Sequence, residues 1–83
     1  VNINNRIKNL GEQLKDRLNP ELVDYALGYI DHSEHVIAIE TLCDYIGDND
    51  ILITEHEYSQ IMELVGDLGL DMTNRYLYIA PSK

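Results

Sequence analysis

The sequence predicts an all-α fold, a compact four-helix bundle with a short additional C-terminal element. Two observations carry that prediction. Apolar residues recur at intervals of three and four along most of the chain, the period of a one-sided helix. The segments that bear them are punctuated by helix starts and stops at Asn19-Pro20, Ser33, Thr54 and Gly69. The length of 83 residues fits a single domain over 1–83 and lies near the size where one core becomes marginal.

Ile3, Ile7, Leu10, Leu14 and Leu18 form a narrow stripe, which predicts helix 1 from Ile3 to Leu18, weakened modestly by Gly11. Asn19 can cap the next helix, and Pro20 suits its first position because it has no N–H to leave unpaired. Helix 2 then spans Pro20 to Asp31, with Leu22, Val23, Ala26, Leu27 and Ile30 on one face. Ser33 is read as the cap of helix 3, which runs to Gly47 and places His35, Ala38, Ile39, Leu42, Cys43 and Ile46 on a broad apolar arc. Ile51-Leu52-Ile53 is read as a short buried connector. Thr54 with Glu57 is a capping box, the best-signed helix start in the chain. Helix 4 follows and ends at Gly69, a residue suited to the left-handed position after a helix. In the tail, Asp71 is the expected cap of a short helix through Tyr78, because a lone strand there would lack a partner. Pro81 stops it.

Net charge is −9, from 6 Lys+Arg and 15 Asp+Glu. That balance argues against nucleic acid and against an anionic membrane surface, since both are bound through cations. The charge is also uneven. Residues 18–74 contain thirteen acids and no Lys or Arg, while the basic residues sit at the two ends. With 45% hydrophobic residues the chain folds rather than forming a disordered tail. One cysteine, Cys43, cannot staple a monomer, and no stretch approaches the ~18 apolar residues of a membrane span. The composition suits a cytoplasmic protein.

Catalytic and metal chemistry is sparse. His32 and His35 beside Asp31 and Glu34 lack the spacing of a dedicated metal site. Asp48-Asn49-Asp50 opens like a calcium loop, but Leu52 and Ile53 follow where a ligand and a glycine are needed. Cys43 faces the core without a histidine beside it. Neither an enzymatic role, a cofactor nor a metal is therefore expected.

The acids themselves are the main signal. Glu40, Asp44 and Asp48 lie four apart on helix 3, helix 2 adds Glu21 and Asp24, and helix 4 adds Glu63 and Asp67, without a compensating cation on these three helices. Like charges at that spacing oppose a helix by ~0.2–0.5 kcal/mol per pair. Repeated small costs suggest that the field has another use. Ile37 is an apolar residue placed among these acids, and Tyr25, Tyr29 and Tyr45 lie at or near the edges of their apolar stripes. Tyrosine suits interfaces because it joins apolar area to a polar tip. Glu21, Asp24, Tyr25, Ile37, Glu40, Asp44, Tyr45 and Asp48 are accordingly the candidate binding residues for a basic protein partner.

Residues 21–30 (ELVDYALGYI), the segment HSEHVIAIETLCD over 32–44, and the stretch from Ile53-Thr54-Glu55 to Leu68-Gly69-Leu70-Asp71 resemble a known family. They are similar to Maf-type immunity proteins of bacterial polymorphic-toxin systems, which overlap with those of contact-dependent inhibition. The similarity covers about residues 20–75. It implies a helical cytoplasmic antitoxin without activity of its own, a monomer or weak dimer when alone. Its partner would be a cognate toxin domain, often a ribonuclease, including ones resembling the EndoU class. The rival reading is an acyl-carrier-like acidic module modified on Ser33. A homo-oligomeric bundle ranks lower, because its acidic faces would repel.

Overall fold

The computed structural model describes residues 2–81, and all regular structure among them is helical. In chain order the elements are α1 (Ile3–Leu14), α2 (Pro20–Gly28), a 3-10 turn (Tyr29–His32), α3 (His35–Asp48), α4 (Glu55–Asp67) and the short α5 (Asn74–Leu77). The expected four helices and small terminal helix are all present. α3 sits centrally, packing on α1, α2 and α5, while α4 closes against α1.

Each stripe delivers its core residues. Ile7, Leu10 and Leu14 of α1 are buried, as are Val23 and Ala26 of α2, five residues of α3 from Ala38 to Ile46, and Ile61, Leu64 and Val65 of α4. Cys43 is one of the buried five, and burial pushes its thiol up to about 12, where it stays protonated and behaves as a small apolar group. Gly11 earns its place where α1 meets α2. A Cβ there would lie 3.0 Å from Leu27 and 3.1 Å from Val23, so glycine sets how closely the two helices approach.

Five sequence expectations need correction, four at element ends and one in a connector. α1 stops at Leu14 rather than Leu18, although Leu18 remains buried. There the Arg17 backbone N–H donates to the Leu14 carbonyl at 3.0 Å, and the Gln13 carbonyl that it would use in a continuing helix accepts from Arg17 Nη2 at 2.9 Å. Helix 2 tightens after Gly28 into the 3-10 turn. Ser33 closes that turn and does not cap α3, since its φ of 60° is left-handed and a cap needs extended backbone. Glu34 precedes α3 without a side-chain cap. Thr73, not Asp71, precedes α5. Leu52 in the supposedly buried connector is 84% exposed, while Ile53 next to it is buried.

Two helix ends share one closure. After α4, Leu70 N donates to the Val65 carbonyl and Gly69 N to Gly66, with Gly69 at φ 68°. After α3, Ile51 N donates to Ile46 and Asp50 N to Gly47, with Asp50 at φ 51°. The first was legible from its glycine, whereas the second uses an aspartate, one of the few side chains that tolerate the left-handed region.

Candidate functional site

The acidic segment does not stand alone in the fold. The basic ends turn back onto it. Arg6 pairs with Asp67 at 2.7 Å, Lys15 with Asp24 at 2.8 Å and with Glu12 at 2.9 Å, and Arg75 with Asp44 at 2.7 Å and Glu40 at 3.1 Å. The expectation that helices 2–4 lack compensating cations is thus corrected. Their counter-ions come from α1 and α5, distant in sequence and adjacent in space. Lys83 lies outside the described residues.

The strongest of these pairs is structural. Glu57 is 4% exposed and receives both terminal nitrogens of Arg17, at 2.7 and 2.6 Å. It also accepts the Thr54 N–H at 2.9 Å, while Thr54 Oγ1 accepts the Glu57 N–H at 3.0 Å, which completes the capping box. Arg17 spends its remaining donors on Asp16 and on the carbonyls of Gln13 and Leu52. Its five N–H groups are all used. The Arg17 hydrogen bonds hold the Glu57 carboxyl below the usual carboxylate range, against the opposing push of burial. The same contacts raise Arg17. This pin joins the end of α1 to the start of α4.

The candidate binding residues divide into two groups. Glu40 and Asp44 face α5 and share Arg75, which offsets one of their two charges. Asp24 and Tyr25 face the other way, along the surface of α2. There Tyr25, 61% exposed, meets Tyr29 edge to face, with ring centroids 5.7 Å apart and planes at 81°. Their hydroxyls lie 3.3 Å apart. Hydrogen bonding from Tyr25 raises the Tyr29 pKa, with smaller electrostatic contributions from Tyr45 and Glu34. Glu21 in the first turn of α2 and Asp48 at the end of α3 are exposed and make no ion pair among the described residues. Ile37 is 38% exposed on α3, consistent with its placement outside the buried arc.

Asp24, Tyr25, Gly28, Tyr29 and His32 line a surface notch of about 350 Å³. Sequence reasoning missed Gly28 and His32 as members of this group and left Tyr29 outside the candidate set. The signal was present, because positions 24, 25, 28, 29 and 32 share one helical face. The most exposed apolar side chain lies elsewhere. Leu52 borders a cleft of about 290 Å³ with Ile46, Tyr78 and Pro81.

No described residues form a cluster of three or more potential metal ligands, and no helix among them is long and apolar enough to cross a membrane. Comparison with protein-family models, curated proteins and solved structures found no match to this chain.

Proposed function

We propose that the chain is an immunity protein that binds and neutralises a basic toxin domain, a ribonuclease in the leading form of this reading. The observation that carries it is the residue of charge left after internal pairing. Glu21, Asp31, Glu34, Asp48, Asp50, Glu55, Glu63 and Asp71 make no ion pair among the described residues, whereas Lys8 is the one cation there without one. Exposed Tyr25 and Ile37 lie on the helices that carry Glu21 and Asp48. A field of one sign around apolar anchors speeds encounter with a basic surface and rejects acidic ones. A ribonuclease offers such a basic surface, since it binds phosphates. The inhibitor would act in the cytoplasm, where the toxin meets RNA, as one copy per toxin and without catalysis or cofactor.

The acyl-carrier reading has one observation in its favour, the exposure of Ser33. Against it, Ser33 closes a 3-10 turn instead of opening α3.

The test is co-expression with the C-terminal domain of the protein encoded directly upstream. The expected result is rescued growth and a one-to-one complex whose association slows steeply with added salt. Absence of a complex at low salt would overturn the reading. A prosthetic arm appearing on Ser33 after incubation with a phosphopantetheinyl transferase would favour the carrier instead.

A further inference from the structure

The notch over Gly28 is a gap in the side-chain layer of a helix. Asp24 lies one turn before Gly28, His32 one turn after, and the two tyrosines flank it. Gly28 has φ −59° and ψ −27°, ordinary right-handed values, so the backbone does not require glycine. A Cβ added there would meet nothing within 4 Å, so packing does not require it either. Gly11 and Gly69 each have a structural reason, close helix approach in one case and positive φ in the other, whereas Gly66 of α4 is as free of packing constraint as Gly28, so it is the lining of the notch that distinguishes position 28. What the missing side chain provides at Gly28 is open space beside two aromatic rings and a carboxylate.

That space has the chemistry of a cation site. The face of an aromatic ring attracts a cation within about 6 Å of its centroid. The edge-to-face geometry at 81° presents the two rings in different orientations, and Tyr25 stands exposed. Asp24 supplies negative charge. Its Oδ1 holds Lys15, but Lys15 is shared with Glu12, so the three groups together remain negative. A planar guanidinium can stack on a ring while donating to a carboxylate, which a compact ammonium does less well.

We propose that this notch seats an arginine side chain of the basic partner, as the anchor of the interface. The proposal rests on the inhibitor reading for the identity of the partner, but the site itself can be tested without it. The whole chain, isotopically labelled, is titrated with N-acetyl-arginine amide and, separately, with the neutral isostere N-acetyl-citrulline amide. With arginine, the ring resonances of Tyr25 and Tyr29 and the amide of Gly28 move and saturate; with citrulline they do not. Tyr25→Ala weakens arginine binding about five- to tenfold. Gly28→Gln fills the notch and abolishes the shifts while the helical circular dichroism is unchanged. Equal shifts with citrulline, or shifts spread evenly over Glu21, Asp48 and Glu63, overturn the proposal. A chain that neutralises its toxin but fails to bind arginine in the notch refutes the anchor alone. A chain that binds arginine there but does not neutralise the toxin refutes the inhibitor reading and leaves the notch standing.

Discussion

The Arg17–Glu57 pin and the α2 notch are built from the same residue types and use them in opposite ways. At the pin, a nearly buried carboxylate meets a guanidinium whose five donors are all engaged within the chain. At the notch, an exposed tyrosine and a shared carboxylate border open space. The first arrangement is complete, and any change leaves a buried group unmatched. The second is incomplete in the isolated chain, and change there leaves the core intact. An acid in this protein therefore has a role set by its surroundings, not by its membership in an anionic segment.

The largest expected effect is at the pin. Arg17→Met leaves the Glu57 carboxylate buried without its cation and is expected to cost about 3 kcal/mol in denaturant unfolding. Glu57→Gln costs less, because an amide oxygen can still accept the Thr54 N–H. The pH dependence has a definite sign. Glu57 has a lowered pKa in the folded chain, so its contribution is present above the ordinary carboxylate range. It is lost as pH falls through that range toward the lowered value. Glu57→Gln should flatten the acid limb of a stability–pH curve. An unchanged acid limb would show that the pin is not what ties α1 to α4.

Much of the fold was legible before the structure, and the pin shows where legibility ended. The capping box of Thr54 and Glu57 could be read because its members are three residues apart. Arg17 could not be assigned, since it reaches Glu57 across 40 positions of sequence. The same limit explains the acidic segment. Arg75 joins Glu40 and Asp44 only because α5 folds back on α3. The start of α3 was misread for a related reason, because Ser33 takes left-handed backbone without glycine to announce it. For the binding residues, the acids and Tyr25 were visible as a pattern. Gly28 was not, because a gap has meaning only when its neighbours are in place.

The Arg75 clamp lies between the two extremes and measures the gradient. Its side chain is 34% exposed, so solvent screens the pairs with Asp44 and Glu40. Arg75→Gln removes both ion pairs and leaves two like charges one helical turn apart. The expected loss is about 1 kcal/mol in low salt, narrowing in 1 M salt, where screening acts within about 3 Å. A loss as large as that at the pin would make the clamp architectural and erase the distinction between the α3–α5 side and the core.

The smallest expected effects belong to Glu21 and Asp48, and their signs are opposed. Glu21 occupies the first turn of α2, where a negative charge favours the helix dipole. Asp48 is the last residue of α3, where a negative charge opposes it. Glu21→Gln should therefore destabilise and Asp48→Asn stabilise, each by about 0.3–0.5 kcal/mol. The double variant should unfold at nearly the wild-type denaturant midpoint. Its association with a basic partner should nevertheless slow, with a shallower dependence on salt. Asp48 is the sharper of the two probes. Its charge at an unfavourable helix position is a small stability cost that binding would offset. A stabilised Asp48→Asn with undiminished association would mean that the acid contributes neither to the fold nor to the proposed interface.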